Sequence, residues 1–179
     1  MSLVGFKARN HPQQAAKPQV DDRATAPEVF APLHERFRFT LDVAAQPHNA
    51  KLERYFTPEQ DGLAQSWAGE RVWCNPPYSS IEPWVVKAWD SSADLVVMLL
   101  PANRTEQGWW QRHIERRRDM PGGVRVEFLK GRMRFINAGS DRVGMNERPP
   151  FGVCLAIWGW QAEMMRSCSP ASTRAEGTR

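Results

Sequence analysis

Four consecutive residues, Asn75-Pro76-Pro77-Tyr78, carry the groups most suited to chemistry in this 179-residue chain. Two adjacent prolines fix φ near −65° and donate no backbone N–H. The residue before a proline is pushed to an extended conformation. Asn75 and Tyr78 are therefore held on a stiff corner. That corner offers an amide oxygen, carbonyls that no ladder consumes, and a flat ring. These can accept the hydrogens of an –NH2 group and stack on the planar group that bears it. Such a nitrogen is a poor nucleophile while its lone pair is delocalised. Acceptors on its hydrogens draw it toward sp³ geometry and free the lone pair.

A corner of this kind needs a rigid element on each side. Arg71 to Cys74 reads as a short strand feeding it. Ser80 is placed to cap a following helix, with Pro83 in the first turn and Trp84, Val85, Ala88 and Trp89 as its apolar stripe. Ala93 to Pro101 is an apolar run on both faces, as expected of a central parallel strand. It delivers Ala102-Asn103-Arg104-Thr105 to the same rim, with Thr105 as the expected cap of a helix through Trp109, Trp110, His113 and Ile114. Open α/β sheets bind ligands at this carboxyl rim.

Upstream, Phe37 to Ala45 alternates as a first strand carrying Asp42 near its carboxyl end, where an acid commonly meets a ligand hydroxyl or ammonium. Thr25-Ala26-Pro27-Glu28 has the form of a capping box opening a helix that Pro32 keeps short or bent. Residues 46–66 read as a loop-rich crossover with Asn49 and Asp61 as further polar candidates and a capped helix start at Thr57. Val124 to Leu129 and Phe151 to Trp158 are expected strands, separated by a polar loop over 136–150.

Composition narrows the class. An apolar share of 41% and a charged share of 25% are ordinary for a globular chain. The expected layout is a flexible arm over 1–23, one domain over 24–162 and a tail over 163–179. No stretch is long and apolar enough for a membrane span. Cys74, Cys154 and Cys168 have no CxxC spacing, and the four histidines do not cluster with them, so neither a zinc site nor any other metal is expected. The net charge of +4 is compatible with nucleic acid.

Leu-Asp-Val-Ala-Ala at 41–45, Trp-Cys-Asn-Pro-Pro-Tyr-Ser, Leu-Leu-Pro-Ala-Asn-Arg-Thr, Phe-Leu-Lys-Gly-Arg-Met-Arg-Phe and the closing Phe-Gly strand stand in an order that resembles the small phage and prophage DNA N6-adenine methyltransferases. The similarity spans roughly residues 25–158. Asn-Pro-Pro-Tyr corresponds to motif IV of amino-methyltransferases that use S-adenosylmethionine (SAM). Asp42 and Ala44 fall on motif I with its glycines lost, and Thr25 falls near motif X.

The resemblance implies an α/β, Rossmann-like fold with a mostly parallel central sheet and helices on both faces. It implies SAM as cofactor and a flipped adenine of double-stranded DNA as target. It also implies a bacterial cytoplasmic setting and a phage or prophage origin. Asn75, Pro76, Pro77 and Tyr78 are then the catalytic residues. Asp42, Ala44, Asp61, Thr25 and Asn75 line the cofactor site, and Arg104, Arg132 and Arg134 contact DNA. Other acceptors remain open from the residues: an RNA adenine, cytosine N4 or a protein glutamine. So does a non-catalytic DNA-binding protein on a decayed methyltransferase scaffold. Oligomeric state is not legible.

Overall fold

The structure is a computed structural model that describes residues 21, 23–137 and 149–162. Most of the expected arm, most of the 136–150 loop and the tail lie outside these residues. In chain order the elements are β1 (Arg23–Thr25), α1 (Pro27–Phe37), β2 (Leu41–Asp42), β3 (Arg71–Cys74), α2 (Glu82–Asp90), β4 (Leu95–Pro101), α3 (Gly108–His113), a 3-10 turn (Glu115–Arg117), β5 (Arg125–Phe128), β6 (Phe135–Asn137) and β7 (Val153–Trp158).

Five strands form one sheet in the order β2-β3-β4-β7-β5. β2, β3 and β4 are parallel, whereas β7 runs antiparallel to both β4 and β5. The expectation of a mostly parallel sheet is therefore corrected: the sheet is mixed. Parallel pairing needs a crossover of a dozen or more residues. Such crossovers connect β2 to β3 and β3 to β4. The parallel half nevertheless brings the carboxyl ends of β2, β3 and β4 to one rim.

Alternation along the central strands splits the core into two layers. Val72, Cys74, Val96, Met98 and Leu100 face Val85 and Ala88 of α2 and Trp110 of α3. Trp73, Leu95, Val97 and Leu99 face Phe30, Leu33 and Phe37 of α1. Helices thus cover both faces. β4 is buried along its whole length, in keeping with its continuous apolar run.

Several local expectations give way to tertiary pairing. Thr25 does not cap α1. It lies in β1, paired with Phe135 of β6, and the helix starts after Ala26 without a side-chain cap. Pro32 sits inside α1 yet does not end it. A proline there forfeits one helical bond, but Phe30, Leu33 and Phe37 anchor the helix on either side of it. It ends at Arg38, in the left-handed region at φ 51°, whose N–H bonds the His34 carbonyl at 2.8 Å. Ser80 and Thr105 do not cap α2 and α3 either: those helices begin after Ile81 and Gln107. The strand expected over 37–45 is β2, two residues long rather than nine: Phe37 closes α1, and the chain bends at Val43 and Ala44. The expected helix at Thr57 is a run of turns.

Trp73 fixes the strand that feeds the corner. It is buried against Phe30 and Phe39, with ring centroids 5.4 Å away in each case. Trp73→Ala is expected to destabilise the fold by about 3–5 kcal/mol, the usual cost of truncating a large buried aromatic. Urea denaturation of the variant beside the parent chain measures this.

Candidate active site

The corner leaves the rim of the sheet between two supports. Behind it, Trp73 and Cys74 are buried in opposite layers of the core. Ahead of it, the Ser80 N–H bonds the Pro77 carbonyl at 3.1 Å and closes a turn. Pro76 is buried, and among the described residues no backbone N–H takes its carbonyl. Arg104, from the loop after β4, donates Nη1 to the Tyr78 carbonyl at 2.6 Å. Asp21 accepts the Ser79 N–H at 3.1 Å and also the Ser79 hydroxyl. The Tyr78 ring packs edge-on to Phe135, with centroids 6.3 Å apart, and tilted against Phe151 at 6.1 Å.

A cavity of about 260 Å³ opens in front of the corner. Asn75 and Pro77 form one wall, Val43, Ala44 and Ala45 another, and Asn49 and Asp61 add polar groups. Phe56 and Trp84 supply aromatic surface. Gly62 completes the lining. A β-carbon there would collide with the Val43 carbonyl oxygen, so only glycine lets the 57–62 loop close against the end of β2. Asp61 adopts φ 51° and accepts the Leu63 N–H at 3.2 Å, which fixes its loop.

A small polar recess of about 20 Å³ adjoins it, bounded by Thr25, Asp42, Ala44, Lys51 and Asn75 among others. It has room for about one water-sized polar group. Thr25 Oγ1 is buried there with no hydrogen-bond partner among the described residues. A buried hydroxyl without a partner costs free energy, so a polar group from a ligand would be welcome.

Asp42 organises the loop that replaces a glycine-rich turn. It is 2% exposed. One carboxylate oxygen accepts the Ala44 N–H at 3.4 Å and the other the Lys51 N–H at 3.1 Å. Burial raises its pKa from the ordinary 3.8 to about 6, against the lowering effect of these N–H groups and of the Lys51 charge. Burial likewise lowers the Lys51 pKa, against the attraction of Asp42. Both partners thus shift toward neutrality, and desolvation outweighs their mutual attraction. The Cys74 thiol beside the corner is fully buried and its pKa is pushed well up by burial and by Asp42, which removes it as a nucleophile.

The structure therefore gathers Asn75, Pro77, Ala44 and Asp61 around one cavity and Thr25 and Asp42 around its recess. Tyr78 and Arg104 line a second cavity of about 280 Å³. Arg132 and Arg134 line neither cavity. Phe56 and Trp84 escaped the sequence reading as site residues: their only signals there are helical periodicity for Trp84 and none for Phe56. Among the described residues no three His, Cys, Asp or Glu side chains converge as a metal site, and no helix is long and apolar enough to cross a membrane.

The sequence model of the DNA N-6-adenine-methyltransferase (Dam) family matches residues 13–176. A DNA N-6-adenine-methyltransferase of Haemophilus phage HP1 is 32% identical over 111 residues, 60% of this chain and 61% of that protein. A second, from Escherichia phage T1, is 35% identical over 86 residues, 46% of this chain and 36% of that protein. The matched part thus spans less than two thirds of either relative.

The raised pKa of Asp42 has a stability consequence. A carboxyl whose pKa is higher folded than unfolded binds more protons in the folded state between about pH 4 and 6, so stability falls as pH rises through that window and levels off above it. The span is about 3 kcal/mol. Asp42→Asn is expected to flatten this part of the profile, measured by denaturant unfolding at pH 4, 5, 6 and 7; an unchanged slope would assign the dependence to other groups.

Proposed function

The chain belongs to the DNA N-6-adenine-methyltransferase family, and we propose that it transfers a methyl group from SAM to N6 of an adenine extruded from double-stranded DNA. The observation that carries this reading is the Asn75-Pro76-Pro77 corner, standing at the sheet rim with a cavity of about 260 Å³ in front of it. We read the fold as the Rossmann-like methyltransferase type with an antiparallel half added to its parallel strands. Both relatives come from phages, which fits action in the cytoplasm of a bacterial host.

The cavity fits the cofactor. Phe56 and Trp84 offer apolar surface to an adenine ring, and Asn49 and Asp61 offer polar partners to a ribose. The recess suits an ammonium: a buried carboxylate, Asp42, lies beside the Asn75 side chain and the Thr25 hydroxyl, which has no partner among the described residues, and Lys51, which also lines it, has its pKa lowered by burial. Bound there, SAM supplies a methyl group made electrophilic by a sulfonium sulfur.

The chain's own residues do the rest. N6 is paired and stacked inside duplex DNA, so the base must leave the stack, at a cost of a few kcal/mol. Stacking on the Tyr78 ring returns about 1–3 kcal/mol. The Asn75 amide oxygen and the Pro76 carbonyl accept the two N6 hydrogens, drawing the nitrogen toward sp³ geometry. Its lone pair is then available, and the corner aims it into the cavity. Holding the two reactants in line supplies much of the rate. The new N–C bond would form as the cofactor's S–CH3 bond breaks and its electron pair returns to sulfur; the surplus proton on nitrogen then leaves to water, so no side-chain base is needed. The buried Cys74 plays no covalent part.

Loss of the glycines in the Leu-Asp-Val-Ala-Ala segment is the one feature that favours a non-catalytic scaffold. The Asp42 hydrogen bonds to Ala44 and Lys51 hold that loop open without them. This supports the enzyme reading over the binding-only one.

Asn75→Ala is expected to lower methyl transfer to DNA at least about a thousandfold, the scale of losing a key polar contact in the transition state, while SAM still binds by calorimetry. Turnover within tenfold of the parent would remove Asn75 from the mechanism. Tyr78→Ala is expected to weaken binding of a duplex carrying a mismatched, extruded adenine by about tenfold or more, with SAM affinity unchanged. Nucleoside analysis of the product DNA identifies the acceptor atom.

A further inference from the structure

The second cavity, of about 280 Å³, lies against the same turn, lined by Tyr78, Ser80, Glu82, Arg104, Gln107 and Trp109 among others. It contains neither Asn75 nor any residue of the cofactor cavity. Resting on the DNA reading above, we propose that it receives a nucleotide adjacent to the target adenine, with Gln107 as a residue that determines sequence specificity.

Gln107 is held in one orientation. Trp109, 8% exposed, donates its indole Nε1–H to Gln107 Oε1 at 2.7 Å. An indole N–H can only donate, so the atom it meets must be the amide oxygen. This fixes which end of the amide is which and leaves the NH2 group as the donor for a ligand. Amides read base edges by pairing a donor with an acceptor, and a good contact of this kind discriminates among bases.

The surrounding charges suit a phosphodiester. Arg104 commits Nη1 to the Tyr78 carbonyl, and among the described residues no other acceptor takes its guanidinium. Its remaining N–H groups and the Ser80 hydroxyl are the natural phosphate contacts. Glu82 lines the same cavity but is bound to Arg112 at 2.6 Å and His113 at 3.1 Å. Its charge is thereby offset rather than set against an incoming anion. The Ser79 hydroxyl is already taken by Asp21.

The juxtaposition also has a mechanical logic. Arg104 grips both the turn that holds the target base and the proposed neighbouring phosphate. A phosphate contact fixes register, and a base contact specifies sequence. One cavity joins both at the residue that stacks on the target.

The experiment is methylation of a duplex library with randomised bases flanking one adenine, followed by sequencing of the methylated positions, for the parent chain, Gln107→Ala and Gln107→Glu. Gln107→Ala is expected to lose about tenfold of the preference at one flanking position. Gln107→Glu keeps the acceptor for Trp109 but replaces the donor with an acceptor. It is expected to shift that same position toward a base presenting an amino group, such as cytosine. Identical flank preferences in all three active proteins would overturn the assignment of Gln107 while leaving the enzyme reading intact. Failure of the parent chain to methylate any adenine would overturn the DNA reading itself, and this inference with it.

Discussion

The constraint on which the site depends is the inability of Pro76 and Pro77 to continue a β-ladder. β3 pairs with β2 through Trp73 and with β4 through Cys74 and then stops. Beyond Asn75, Pro76 and Pro77 have no N–H to give, and their φ angles are locked. A buried strand would ordinarily carry its polar backbone into further pairing. Here it presents carbonyls and an asparagine at the rim instead. The rest of the molecule holds that backbone still: Trp73 and Cys74 sit in opposite core layers, and Arg104 and Asp21 bind Tyr78 and Ser79 at the end of the turn.

The second necessity is a loop that leaves room for a ligand next to that corner. Dinucleotide folds use glycines for this purpose because the backbone must approach a pyrophosphate. This chain uses a buried carboxylate. Asp42 takes two backbone N–H groups across the 43–51 loop, and Gly62 lets the opposite loop close against Val43. The cost is a carboxyl held out of water, visible in its pKa of about 6. The same group lies beside the Thr25 hydroxyl in the small recess, which Lys51 also lines. In the function proposed, one side chain both supports the loop and meets the cofactor.

Much of this was legible in the sequence where the signal is local. The Asn-Pro-Pro-Tyr corner follows from proline geometry alone. The β4 run could be read because it is apolar on both faces, and α2 because its apolar residues recur at helical spacing. What failed was non-local. Thr25 looks like a cap, but β6, over a hundred residues downstream, captures it in a strand. The reversal of β7 leaves no mark in an apolar run, since such a strand reads alike in either direction. Phe56 reaches the cavity through the path of an irregular loop, which no periodicity records. No sequence pattern marks Gln107, whose orientation is set by the Trp109 indole.

The proposed mechanism requires the corner to accept the hydrogens of an adenine amino group. The most direct measurement is a crystal structure of the chain with an unreactive SAM analogue and a short duplex containing an adenine substrate. The adenine is expected outside the stack against Tyr78, with N6 within about 3.2 Å of both the Asn75 amide oxygen and the Pro76 carbonyl. An adenine still paired in the duplex, or extruded with its amino group directed away from Asn75 and Pro76, would contradict it.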